Sequence, residues 1–225
     1  MSGRPYNELP NKNDNPYLLG QFIKVVNQFW KNGGGIALFA DNAPFNYQTN
    51  LLIEAFFPDS NFRVAGIHPG EKFIQGDDSG KLEKKSTFNR KIQMNDEYQR
   101  ASISHSLYSL YEGKTVSYFV EKPNDDDLLY LGKNEDLTMI TTPNLLKPFI
   151  PFSKDSDGGF NSAFYSSNDN EGDIIIDCSY TKFFLEMGTK GNPRYIQNII
   201  SLLGAPEKHI KRDGCEDGSE YRPKK

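Results

Sequence analysis

Apolar residues fall along this chain in short runs of two different periods. Between Tyr17 and Lys31, Phe22, Val25, Val26 and Phe29 recur at i, i+3, i+4 and i+7, which predicts an amphipathic helix stopped at Asn32-Gly33-Gly34-Gly35. The run Ile36 to Ala40 follows at once and predicts a buried strand that ends in a polar turn at Asp41-Asn42. Tyr47, Leu51, Leu52, Ala55 and Phe56 then give a second helical stripe, so residues 22–57 spell helix, strand, turn, helix with short joints.

Further short apolar segments bounded by turn residues predict strands at Phe62 to Ile67, Lys72 to Gln75, Thr115 to Val120, Leu128 to Leu131, Leu137 to Thr141 and Asp173 to Cys178. The last is a continuous β-branched run flanked by polar residues, the pattern of a strand covered on both faces. After it, Asn192-Pro193 supplies an N-cap and a proline at the first helical position, and Tyr195, Ile196, Ile199, Ile200 and Leu203 predict a buried helix. Gly76 to Gln99 and Pro151 to Gly172 lack a clean period and read as long loops rich in Asp, Ser, Asn and Gly. Residues 1–16 read as a polar arm or linker, 17–205 as one α/β domain, and 206–225 as a polar tail.

Composition narrows the class of protein. A chain of 225 residues with 36% hydrophobic content can bury one substantial core, and a formal net charge of −4 gives no nucleic-acid footprint. No apolar run approaches the length needed to cross a bilayer, and the N-terminus lacks a basic-then-apolar leader. The two cysteines, Cys178 and Cys215, form neither a CxxC pair nor a zinc spacing. The expectation is a cytoplasmic protein without cofactor or metal, working with a protein partner or with neighbouring domains of a larger protein and not with nucleic acid or membrane.

The Gly33-Gly34-Gly35 strand, the turn at Ala40-Asp41, the His105 segment and the final strand-helix unit together resemble the class I glutamine amidotransferase-like superfamily, over roughly Tyr17 to Ala205. The likeness is to divergent members that sit beside other modules, such as von Willebrand type A or atypical kinase domains, in large intracellular eukaryotic proteins. It implies a mostly parallel, doubly wound flavodoxin/Rossmann-like sheet. In active members the glycine-rich strand runs into an elbow whose Cys forms a glutamyl thioester, completed by a His and an acidic residue. Here Ala40 stands at the elbow position, and His209-Ile210-Lys211 does not match the family's late His-x-Glu pair. The family also places strand-helix units before the glycine-rich strand, where this chain has only its polar arm. Either the chain is a fragment, or the sheet begins late and exposes an edge that a partner covers.

The candidate chemistry follows from these placements. Asp41 and Asn42, at a predicted strand end before a helix, suit a polar or anionic ligand, and they equally suit a plain capping turn. His68 and His105 are the candidate general bases, and Cys178 would be a displaced nucleophile working with His105 and Asp41 or Asp177. Arg194, just after the Asn192-Pro193 cap, would hold an anion or lie exposed on its helix. Asp155-Ser156-Asp157-Gly158-Gly159 begins like a calcium loop, but Phe160 and Ser166 occupy its sixth and twelfth positions, so an acidic surface loop is expected. The leading expectation is a non-catalytic binding or scaffolding domain. The alternatives are a hydrolase using Cys178, or a water activated by Asp41 with His105 or His68, and a structural component docking through its sheet edge and arm.

Overall fold

Helix α1, Pro16–Lys31, forms where the apolar stripe places it, and its stop has a backbone cause. Gly33 adopts φ +95°, which turns the chain so that its N–H donates to the Trp30 carbonyl and the Gly34 N–H to that of Phe29, both at 2.9 Å. Trp30 faces inward: its indole N–H donates to the Gly172 carbonyl at 2.7 Å, and its ring stacks on Phe56 at 5.0 Å between centroids. The protein is seen here in a computed structural model that describes residues 16–42, 45–70, 73–77, 87–89, 103, 106–107, 109–122, 137–166, 171–184 and 191–204.

Strand β1, Ile36–Phe39, pairs in parallel with β9, Ile174–Asp177, in a register that sets Phe39 beside Asp177. Both are apolar because helices cover both faces. Helix α2, Tyr47–Phe56, lies beside α1 over one core that holds Trp30, Ile36, Ile174, Ile176 and Cys178. Helix α4, Asn192–Leu203, covers the other face with Tyr195, Ile199 and Leu202 packed on Phe164 and Ile175.

The main sheet runs β1-β9-β8-β7-β4-β3-β5, with β8 at Phe160–Tyr165, β7 at Ile150–Lys154, β4 at Thr87–Asn89, β3 at Phe73–Asp77 and β5 at Ser109–Tyr111. A second, antiparallel pair joins β2, Phe62–Pro69, to β6, Thr115–Glu121. The fold is therefore mixed α/β with a mixed sheet. Parallel pairing is confined to β1/β9 and β3/β4, and the other described neighbours run antiparallel, which corrects the expectation of a mostly parallel sheet.

Asparagine side chains stand in for missing strand partners at two places. The Asn50 carboxamide accepts from the Val64 N–H at 2.8 Å and donates to the Val64 carbonyl at 2.9 Å, so α2 fills the side of β2 away from β6. At β5 an asparagine fills half of that role: Asn192 Oδ1 accepts the Tyr111 N–H at 3.3 Å, while its amide N–H donates to the Lys182 carbonyl at 2.9 Å.

The long loop expected over Pro151 to Gly172 is instead the β7–β8 hairpin. Its period was hidden because polar residues are buried in it: the Ser153 hydroxyl donates to Asn161 Oδ1 at 2.6 Å, and that of Ser162 to Asp177 Oδ2 at 3.2 Å. The other expected loop, Gly76 to Gln99, contains β4. Leu137 to Thr141 is no strand but a single bridge between Met139 and Val120. The expected strand at Leu128 to Leu131, the arm before Pro16 and the tail from 206 lie outside the described residues.

Candidate functional site

The parallel pairing of β1 and β9 brings two strand ends side by side, and the first feature there is a residue without chemistry. Ala40 is fully buried, its N–H donates to the Asp177 carbonyl at 2.7 Å, and its carbonyl accepts the Tyr180 N–H at 2.9 Å. Its side chain is a methyl in the core, and both of its backbone polar groups are used in pairing.

Asp41 follows, with 3% of its surface exposed. Its Oδ1 accepts the Asn42 N–H at 2.8 Å, its Oδ2 accepts the Thr115 hydroxyl at 3.0 Å, and the Thr181 N–H also points to it. Burial raises its pKa from the ordinary 3.8 to about 6; the three donors oppose that rise, and the charge of Asp177 adds to it. Asp41 is thus a carboxyl kept from water at the carboxyl end of a parallel strand pair, the place where open α/β sheets take ligands. Asn42 lies beside it, half-buried.

A clamp closes over these two ends. The Thr115 carbonyl accepts the hydroxyls of Ser179 at 2.8 Å and Thr181 at 3.0 Å, while Thr181 Oγ1 accepts the Lys114 N–H at 3.0 Å. The same Ser179 hydroxyl proton is shared with the Glu112 carbonyl. Gly113 makes this turn at φ +109°, where a Cβ would strike the Ser179 hydroxyl. The start of β6 is therefore stitched to the turn between β9 and the short helix α3, Thr181–Phe184.

Below the clamp, Asp177 gathers a fully buried polar cluster. Its Oδ2 takes Lys182 Nζ at 2.8 Å and the Tyr195 hydroxyl at 2.8 Å, and its Oδ1 takes the Ser179 N–H at 3.0 Å. Burial, then the neighbouring Asp177 charge, pushes the Tyr195 hydroxyl well up, so it stays a donor. Lys182 Nζ also lies 5.4 Å over the Tyr195 ring. This cluster ties β9, α3, β8 and α4 together; Lys182 and Ser162 were not foreseen, and Tyr195 was expected only as a buried residue of its helix, because the contacts that define the cluster are between distant segments.

The foreseen residues divide as follows. Cys178 turns to the opposite face from Asp177 and sits in the first core, where burial raises its thiol well above the ordinary value, contrary to what a nucleophile needs. Arg194 is exposed, and its partner is Gln197 on its own helix, at 3.4 Å. His105 and the side chain of His68 lie outside the described residues; the backbone of His68 pairs on β2 opposite Val116. The Asp155 loop is the hairpin turn of β7 and β8, with Asp155 Oδ1 accepting the N–H groups of Asp157 at 2.9 Å and Gly159 at 3.0 Å. Among the described residues no three His, Cys, Asp or Glu are grouped to hold a metal, and no helix is long and apolar enough to cross a membrane. No protein-family model matches this chain, and no curated protein matches its sequence.

Proposed function

We propose that this chain is a non-catalytic, amidotransferase-like binding or scaffolding domain of a larger cytoplasmic protein or assembly, with Asp41 at the centre of its binding face. The observation that carries this reading is Ala40. At the strand end where the resemblance calls for a nucleophile there is a buried methyl whose own N–H and carbonyl are spent on the Asp177 carbonyl of β9 and the Tyr180 N–H of the turn after it. The doubly wound plan is part of the same reading, supported by a parallel pair with helices on both faces. A carboxylate held out of water costs stability, and such costs concentrate at functional sites.

A second reading has one observation in its favour. A carboxyl with a pKa of about 6 suits a general base, so Asp41 would activate a water with His68 or His105. Both of its oxygens accept protein donors, which is why binding is preferred.

The two readings separate in one set of assays. The purified chain and Asp41→Asn are given glutamine and a p-nitrophenyl ester, and ammonia and nitrophenol are read. Neither protein is expected to exceed buffer; turnover lost in Asp41→Asn overturns the binding reading. In parallel, affinity purification from the native cell is expected to recover a partner with the wild type and lose it with the equally folded Asp41→Asn.

A further inference from the structure

The edge of the main sheet at β1 is built unlike the other strand sides described. Ile36 and Ala40 both direct their N–H groups at β9, bonding Asp173 at 2.9 Å and Asp177 at 2.7 Å. The two-residue period of a strand then points the N–H and carbonyl groups of Ala37 and Phe39 the other way. Among the described residues no strand or side chain pairs with them there, whereas β2 has Asn50 and β5 has Asn192. Nor does β1 carry the lysine, proline or bulge that commonly protects an edge; its sequence is Ile-Ala-Leu-Phe. Ala37, Leu38 and Phe39 are only part-buried, although helices cover both faces of the strand and their counterparts on β9 are wholly buried.

Apolar side chains extend this edge on both faces. On α1, the inner flank is taken by α2 through the Trp30–Phe56 stack, and Val25 and Phe29 are left 66% and 55% exposed. The Phe29 ring sits against Gly34, just ahead of β1. On α4, Asn198 donates to the Ile103 carbonyl on one flank, while Ile196 and Leu203, like Ala37 and Phe39 of β1, are part-buried against the second core, with Ile200 a turn from each at 64% exposed. Among the described residues neither flank beside β1 is charged: Lys24 and Lys31 share a different stripe of α1 at heptad spacing, and α4 has only Arg194, a full turn and a half from Ile200.

We infer that β1 is a dimerisation edge, taking β1 of a second copy of this chain in antiparallel pairing about a two-fold axis through Leu38. Ala37 of one copy faces Phe39 of the other, each pair exchanging both N–H···O bonds, and the two main sheets become continuous. A two-fold axis normal to the sheet sets α1 against α1 and α4 against α4, so like meets like on each face. That self-meeting requires flanks that are apolar and uncharged, as these are, and it commits the edge to a second copy over a charged peptide. The inference is independent of any ligand at Asp41.

Sedimentation equilibrium of the full chain tests it, alongside the double variant Val25→Glu with Ile200→Glu, whose sites are exposed and leave the core untouched. The wild type is expected to approach twice the 25.5 kDa of one chain, and the variant, with an unchanged circular dichroism spectrum, to associate at least about tenfold more weakly. Amide exchange gives a second readout: Ala37 and Phe39 slow with wild-type concentration but not with that of the variant. A single species of 25.5 kDa at about 100 µM, or a dimer indifferent to both glutamates, overturns the inference. The first outcome would leave the edge to a different protein.

Discussion

Thr115 and Asp41, 74 positions apart, meet through a 3.0 Å hydrogen bond that fastens the start of β6 to the end of β1. The bond joins the two sheets at the point where the β5–β6 turn also grips Ser179 and Thr181. Its acceptor is a carboxyl that folding has moved out of water, so the junction is sensitive to pH.

Replacing Asp41 by Asn is expected to stabilise the fold at neutral pH. The folded-state pKa of about 6 lies above the ordinary 3.8, so the folded chain binds the extra proton between those values. The stability contributed by Asp41 is then full below about pH 3.8 and lost as pH rises through about 6. Other carboxyls titrate in the same range, so the informative quantity is the difference between the two proteins in urea unfolding. That difference is expected to open in favour of Asp41→Asn from pH 4 to 6, by at most about 3 kcal/mol, and to stay flat above. A flat difference across the whole range would mean that the carboxyl is solvated in the folded chain.

Lys182→Met is expected to be far more damaging than its size suggests. It would strand the Asp177 charge in a site where Lys182 Nζ stands at 2.8 Å and neither side chain reaches water, a loss of about 3–5 kcal/mol. Adding Asp177→Asn removes the stranded charge and should restore part of the loss, since the Tyr195 hydroxyl at 2.8 Å keeps an acceptor. Urea midpoints of the two single variants and the double variant give the coupling. Additive losses would show that the pair does not act as a unit.

Cys178 is expected to react with a disulfide reagent only when the chain unfolds. In a Cys215→Ser background the remaining thiol is in the core, and burial keeps it protonated. Labelling should therefore follow the urea transition. Labelling of the native protein at the rate of a free thiol would bring Cys178 back as a nucleophile.

What the sequence discloses of this fold depends on whether a segment is apolar on its buried side. Helices α1, α2 and α4 and strands β1 and β9 were legible, since their apolar residues keep a period or an unbroken run. Strands β7 and β8 were not, because Ser153, Asn161 and Ser162 are buried there, with the two serine hydroxyls donating to Asn161 Oδ1 and Asp177 Oδ2. Asp41 and Asn42 could be placed at a strand end from local order alone. Thr115 could not be joined to them, because nothing in a local window reports a contact across 74 positions. Arg194 was legible as a helix residue but not in its direction: Tyr195 takes the inward phase of α4, and one step back turns Arg194 to solvent.

Gly113→Ala is expected to cost more than Gly158→Ala, although both glycines have positive φ, +109° and +92°. At Gly158 a Cβ would meet nothing within 4 Å, so the cost is that of left-handed backbone alone, about 1–2 kcal/mol. At Gly113 the same strain applies, and the methyl would also enter the space of the Ser179 hydroxyl and crowd that of Thr181. To make room, the β5–β6 turn must lift, which breaks the bonds from Ser179 and Thr181 to the Thr115 carbonyl. The excess of the Gly113 loss over the Gly158 loss therefore measures the clamp over Asp41, and a further 1–3 kcal/mol, roughly, is expected. Amide exchange at Lys114 and Thr115 should quicken in Gly113→Ala and not in Gly158→Ala, since both N–H groups donate to Thr181 Oγ1. Equal losses in the two variants, with exchange unchanged, would mean that the turn rests on the strand ends without holding them.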